Sequence, residues 1–246
     1  MTLIVNEIHF DPRNSNSCRI VSAADRRIRI GSNICEKRKL FYVERLNVTI
    51  SYFGLAGMIP GTSFEELLDE FVNADRSTSL SEFAAALWKR LNNTLRKEVL
   101  QQHPSGFHVC GFNNKVVPEM WYITNIGGME GFTYTTFRDH YAKPSEELST
   151  VHLTALFDST TGSYKGPFAF SFQNGDLRIF RPAWDLLDTL AASMDVIGLS
   201  RRAQSPFEHE ARLKWKMSTI ALFCETISYE RIIGGPIDII TLLPNR

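Results

Sequence analysis

Two helix-start signals stand back to back in the middle of this chain, with strand-length apolar runs on either side, and few folds accommodate that order. Ser63 is followed three places later by Glu66, and Ser79 by Glu82. In such a pair the serine oxygen accepts from a backbone N–H of the first turn, while the carboxylate reaches back to the serine's own N–H. Behind the first pair come Leu67, Leu68 and Phe71. Behind the second, Leu80, Phe83, Ala84, Leu87, Leu91, Leu95 and Val99 recur at three- and four-residue spacing, which predicts a helix from 80 to about 102 that Pro104 and Gly106 end. One apolar stripe suits a helix laid on a sheet.

The runs on either side read as strands. Leu3–Phe10 and Ile20–Ala24 flank a Pro/Asn/Ser cluster and predict a hairpin. Arg27–Ile30, Leu40–Val43 and Val48–Phe53 continue the strand character before the helices. After them come Phe107–Phe112, Met120–Thr124 and Phe132–Phe137, then Val151–Phe157, Phe168–Phe172 and Leu177–Phe180. Asn174-Gly175 between the last two is a two-residue hairpin signal. Two further helices are expected, from Pro182, a residue suited to a first helical turn, to about Ile197, and from Glu208 to about Tyr229. Gly234-Gly235-Pro236 leads into a last strand, Ile237–Leu243. Strands, two helices, strands, two helices and a strand fit sheets covered by helices, with 1–246 as a single domain.

Charge narrows the partners. Lys plus Arg (27) equals Asp plus Glu (27), so no overall field favours a phosphate backbone or an anionic membrane, and neither nucleic acid nor membrane is expected as a partner. The apolar runs are too short to cross a bilayer as helices. Cys18, Cys35, Cys110 and Cys224 are scattered without a CxxC pair, so a cytoplasmic chain with reduced thiols is expected.

Thr2 carries the chemistry of most interest. Removal of Met1 ahead of this small residue would leave a hydroxyl and an α-amine on one residue, and an α-amine titrates near about 8, low enough to serve as a base for its own hydroxyl. Around it, Ala24-Asp25-Arg26-Arg27, Lys39-Leu40-Phe41 and Gly54-Leu55-Ala56-Gly57 stand in order. Phe107-His108-Val109-Cys110-Gly111-Phe112-Asn113, Gly127-Gly128 and Gly234-Gly235-Pro236-Ile237-Asp238 follow. This ordered set resembles the proteasome β subunits and their bacterial HslV-type relatives in the N-terminal nucleophile (Ntn) hydrolase superfamily, with this chain as a divergent member. The resemblance covers most of the chain except about 142–180.

That resemblance implies an α+β fold, a four-layer αββα sandwich with an extra hairpin inserted at about 142–180. Carried over residue by residue, it implies Thr2 as nucleophile, Lys39 as the cation beside it, Asp25 as the carboxylate that orients Lys39, and the Gly54 N–H as an oxyanion donor. Where the family has an aspartate and, three residues on, a serine before the Gly-Gly turn, this chain has Glu230 and Ile233. Glu230 can serve as a longer carboxylate, whereas Ile233 donates no hydrogen bond. The plain alternative is an Asp-Arg-Arg turn and a lysine-rich loop, both solvated.

Other clusters are weaker. His108 and Cys110 share one face of a strand but lack a second ligand pair, so a core histidine and a buried thiol are expected there. Cys224 with His103, His140, His152 or His209 could form a cysteine-hydrolase set, yet Cys224 falls on the apolar stripe of a helix. No cofactor and no metal are expected. The function implied is a threonine hydrolase acting on peptide or amide bonds, with a non-catalytic assembly or binding subunit as the alternative. The partners implied are other copies of the chain, in a homo-oligomer or ring, a peptide or protein substrate, and an ATPase or other regulator.

Overall fold

The computed structural model describes residues 2–10, 14, 17–30, 33–54, 63–95, 98, 101, 103–113, 117–126, 131–136, 157–158, 163–164, 168–175, 177–197, 205–227 and 233–244. In chain order the strands of the first part are β1 (Leu3–Phe10), β2 (Arg19–Asp25), β3 (Arg27–Ile30), β4 (Asn33–Glu36), β5 (Leu40–Val43) and β6 (Val48–Phe53). Helices α1 (Phe64–Ala74) and α2 (Leu80–Thr94) follow, then β7 (Gly106–Asn113), β8 (Val117–Thr124) and β9 (Thr133–Thr136). The last part holds β10 (Phe157–Asp158), β11 (Ser163–Tyr164), β12 (Phe168–Gly175), α3 (Leu177–Val196), α4 (Pro206–Thr226) and β13 (Ile237–Leu242). Mixed α and β content with antiparallel sheets makes this an α+β chain.

One sheet has the order β12-β1-β2-β13 and the other β5-β6-β7-β8-β9, with antiparallel neighbours throughout. Alternation along the strands divides their side chains between two surroundings. In β7, Phe107 and Val109 join Leu67, Leu68, Phe83 and Leu87 of α1 and α2 in one apolar cluster. Cys110 and Phe112 instead meet Ile8 and Ile20 of the first sheet. In the first sheet, Leu3, Val5, Val21 and Ala23 pack with Trp184 of α3 and Leu213, Met217 and Ile220 of α4, while Ile4 and Ala24 meet Leu40 and Phe53. The helix starts follow the serine–carboxylate logic. Ser63 and Glu66 form both halves of a capping box on α1. Ser79 caps α2 through the Glu82 N–H, while the Glu82 carboxylate turns instead to the Thr78 N–H at 2.9 Å.

The structure departs from the sequence reading in four places. Residues 168–175 are not part of an inserted hairpin: β12 pairs with β1 along its whole length, Phe168 opposite Phe10 and Gly175 opposite Leu3. Asn174-Gly175 ends that strand ahead of α3 rather than turning a hairpin. Gly175 has φ 132°, and a Cβ there would come within 1.7 Å of the Thr2 carbonyl oxygen, so the glycine answers to a close approach of two backbones. The rest of 142–180 lies outside the described residues, except for the short β10–β11 ladder and the start of α3. Second, α3 begins at Leu177 rather than Pro182, which stands inside the helix, so the expected strand Leu177–Phe180 is the start of a helix. Third, α2 ends at Thr94, where Leu95 leaves the helix with ψ 131°, short of the expected 102. Fourth, α4 starts at Pro206 through another capping box, Ser205 with Glu208, which the sequence also displays.

Candidate active site

The end of β2 and the residue before β5 bring two of the expected groups together. Asp25 and Lys39 are each 0% exposed in their side chains, and Lys39 Nζ donates to Asp25 Oδ1 at 2.8 Å and to the Arg27 carbonyl at 2.5 Å. The Leu3 N–H donates to the same carboxylate oxygen at 2.7 Å, and the Gly234 N–H to Oδ2 at 3.2 Å. Leu3 directly follows Thr2, itself 5% exposed, so the carboxylate is bonded to the peptide leaving Thr2. An ammonium has three donors. Two are accounted for here, which leaves one for a further acceptor.

Burial disfavours both charges. It raises the Asp25 carboxyl above its usual range against the pull of Lys39, Leu3 and Gly234, and it lowers the Lys39 ammonium below the ordinary lysine value despite Asp25. Removing one partner of such a pair leaves a buried uncompensated charge, at about 3–5 kcal/mol.

The solvated reading of the Asp-Arg-Arg turn and of the lysine loop is corrected here. Arg26 grips Asp238 through Nε, at 2.9 and 2.8 Å, and through Nη2 at 2.7 Å. Arg27 donates to Glu225 at 2.7 Å, and the same carboxylate oxygen accepts the Gly235 N–H at 2.8 Å. The Arg27 N–H closes onto the Gly234 carbonyl at 3.1 Å. Gly234 and Gly235 have φ of 152° and 72°, so this turn can lie against Arg27 and Glu225 only with glycines. The turn after β2 and the turn before β13 are thereby one bonded unit around Asp25.

Gly54 stands just after β6 with φ 96°, two residues past Tyr52, whose N–H bonds the Lys39 carbonyl at 3.2 Å. A Cβ on Gly54 would lie 2.3 Å from the Pro104 carbonyl oxygen. Glu230 lies outside the described residues. Ile233 is 0% exposed within the apolar cluster that holds Leu3 and Val5, a core residue rather than a polar partner.

His108 is the core histidine expected from the sequence. Its two ring nitrogens lie 2.7 Å from the side-chain amides of Asn6 and Asn174, and burial lowers its pKa to about 3. A neutral imidazole has one donor and one acceptor, so one of the two amides presents its oxygen. Burial also raises the Cys110 thiol, which is inert there. A cavity of about 210 Å³, lined by His108, Tyr122, Asn174 and Arg181 among others, opens beside β12. It abuts Asn174, one residue before the glycine that packs on Thr2. A second polar group missed by the sequence reading gathers Glu7 and His9 of β1 with His209 of α4. Its members lie some two hundred positions apart in the chain, and only the alternate placing of Glu7 and His9 was visible in advance.

No family model matches the chain, and no curated protein matches it. Solved structures do. The Anbu (Gly-1) mutant from Hyphomicrobium sp. strain MC1 is similar with a TM-score of 0.54 and 14% identity, over 99% of this chain and 82% of that one. Anbu from Yersinia bercovieri, described as an ancestral beta-subunit, is similar with a TM-score of 0.53 and 12% identity, over 98% of this chain and 82% of that one. Identities this low establish the fold alone, the one this chain shares with these Anbu chains. They correct the family read from the motifs: the similar structures named here are Anbu chains, whereas the motif series points to the proteasome β subunits and their HslV-type relatives. The reason is physical. Gly54, Gly234 and Gly235 of those motifs, with φ of 96°, 152° and 72°, answer to backbone turns, so they mark the fold without separating its branches.

Proposed function

We propose that the chain, freed of Met1, is a threonine hydrolase of the proteasome-like class that cuts peptide or amide bonds with the hydroxyl of Thr2. The observation that supports this reading is the buried Lys39–Asp25 pair bonded to the N–H that follows Thr2. A solvent-excluded ion pair is costly to keep, and well-packed apolar residues do as well for stability alone. Beside a nucleophile it has a use. The Thr2 α-amine takes the proton from Oγ as the oxygen attacks the carbonyl carbon, and Lys39 favours the developing alkoxide. Asp25 keeps Lys39 charged and aimed, and the Gly54 N–H donates to the oxyanion. The C–N bond then breaks, the amine leaves with the proton, and water releases the acyl group from Thr2. Glu230 would supply the carboxylate before the Gly234-Gly235 turn. The cavity beside β12 is where we would seat the substrate chain. Transfer of the acyl group to an amine instead of water needs the same groups.

We also propose a four-layer αββα arrangement with 1–246 as one unit, and self-association into a homo-oligomer or ring. The description of a similar chain as a beta-subunit supports self-association, and so do the large apolar side chains exposed on α3 and α4. The second reading, a non-catalytic subunit of the same fold, is favoured by Ile233, which is apolar and buried where the resemblance calls for a hydrogen-bond donor. Intact mass before and after a β-lactone or epoxyketone probe separates the two. The enzyme is expected to lack Met1 and to take up one probe molecule. Thr2→Ala abolishes that adduct and Lys39→Ala slows it by orders of magnitude. Retained Met1 with no adduct leaves only the subunit role.

A further inference from the structure

The geometry points to a divalent transition-metal site formed by Glu7, His9 and His209, away from Thr2, that ties β1 to α4. Glu7 and His9 are two apart on β1 and so share a face, the one on which Leu3 and Val5 pack against α4. His209 stands in the first turn of α4. One ligating atom from each of the three lies within 4.8 Å of the other two, and His9 Nε2 is 3.6 Å from Glu7 Oε2. The two imidazole rings lie 4.0 Å apart between centroids, tilted by 59°. Metal bonds to nitrogen and carboxylate oxygen of about 2.0–2.2 Å put ligands of one ion about 3–4 Å apart, so the group is already near the required spacing.

Two further observations favour an ion there. Among the described residues His9 Nε2 is buried and has no hydrogen-bond partner, a state that buried ring nitrogens seldom keep. Glu7 also divides its oxygens: Lys216 Nζ lies 3.9 Å from Oε1, while Oε2 is the one turned toward His9. Lys216 is itself held by Asp188 and sits 4.1 Å over the Trp184 ring, so its charge is engaged on the far side. Arg19, opposite His9 in the strand register, and Arg212, whose charge acts on His209, are neighbouring cations that oppose an ion. Two imidazoles and one carboxylate suit zinc, cobalt or nickel rather than magnesium or calcium, and three ligands leave a position for water. Glu7 is five residues and His9 seven residues along β1 from Thr2, about 17 and 23 Å at strand rise. The site is therefore a clamp between strand and helix, and it revises the expectation of no metal.

Untagged full-length chain, stripped with chelator, is titrated with Co²⁺ and then Zn²⁺. The expected result is one Co²⁺ per chain with visible ligand-field absorption, displaced by Zn²⁺, and a higher melting temperature with Zn²⁺. His209→Ala and Glu7→Gln should each weaken uptake by more than the about 10–100-fold typical of losing an outer-shell contact. Glu70→Gln, on the exposed face of α1, should leave uptake unchanged. The wild-type spectrum and stoichiometry stand without any variant. Circular dichroism identifies which variants fold. Absence of stoichiometric uptake by the wild type overturns the site, and so does a Co²⁺ spectrum that persists in folded His209→Ala.

Discussion

The half of the molecule built on β5–β9 and the half built on β12, β1, β2 and β13 differ in what they leave unfinished. Under α1 and α2 the first is closed: Tyr52, Phe64, Phe107 and Phe132 form a chain of ring contacts at 5.2–6.0 Å, and Phe71 meets Phe83 at 5.2 Å. Among the described residues, no large apolar side chain of α1 or α2 is exposed. The other half buries Trp184, Leu213, Met217 and Ile220 on one side of α3 and α4, yet exposes Leu186 (69%), Val196 (86%), Phe207 (77%), Leu222 (60%) and Ile227 (68%). It also carries Asp25 and the Glu7–His9–His209 group. Under its two helices one half is finished against water, whereas the other keeps apolar helix surface and polar groups whose uses lie outside its own core.

The largest effect expected from this contrast is on the closed side. Phe83 is 0% exposed, so Phe83→Ala should lower unfolding free energy by about 3–5 kcal/mol in denaturant titration, while probe uptake at Thr2 per folded molecule stays unchanged. A loss below about 1 kcal/mol would mean that this half is not the stabilising one.

The seam between the halves should give the next largest effect. His108 of β7 meets Asn6 of β1 and Asn174 of β12, with Tyr122 edge-on at 5.4 Å, and its pKa is about 3 against 6.5 for the free side chain. The unfolded chain therefore binds a proton that the folded chain refuses. The His108 contribution is complete above pH 6.5 and is lost as pH falls toward 3. At about 1.4 kcal/mol per pH unit the loss is about 2 kcal/mol by pH 5. His108→Gln should remove that share of the acid limb. Identical pH–stability curves for the two proteins would break the assignment.

The smallest effect on stability is expected on the open face. Leu222→Ser with Phe223→Ser should change unfolding free energy by no more than about 0.5 kcal/mol per site and should shift sedimentation toward smaller species. A wild type that is monomeric at micromolar concentration would show that the exposed apolar face is not a self-contact.

The strands before α1 and the starts of α1 and α2 were legible because they depend on neighbours in sequence. The capping box of α1 needs only Ser63 and Glu66, and the β1–β2 pairing follows two apolar runs around a polar loop. Asp25 and Lys39 were legible as a pair only through resemblance to a known family. Nothing in their spacing says that both would be fully buried. Asn174-Gly175 misled because a tertiary contact overrode its strong local preference for a turn. Gly175 is required by the carbonyl of Thr2, far off in sequence, and not by a turn. The capping box of α4 also needs only Ser205 and Glu208, which stand three apart in the sequence.

By itself the sequence determined most of the alternation of strands and helices and the faces that become core, set by residues within a few positions of each other, and the charge balance, a sum over the chain. Only the tertiary structure decided that Arg26 and Arg27 close onto Asp238 and Glu225 and that four hydrogen bonds from three parts of the chain converge on Asp25 and Lys39. It alone brought His209 to Glu7 and His9. Such groups depend on how sheets and helices stack, and the strength of a charge or a ligand set depends on water being excluded around it. Local sequence encodes neither.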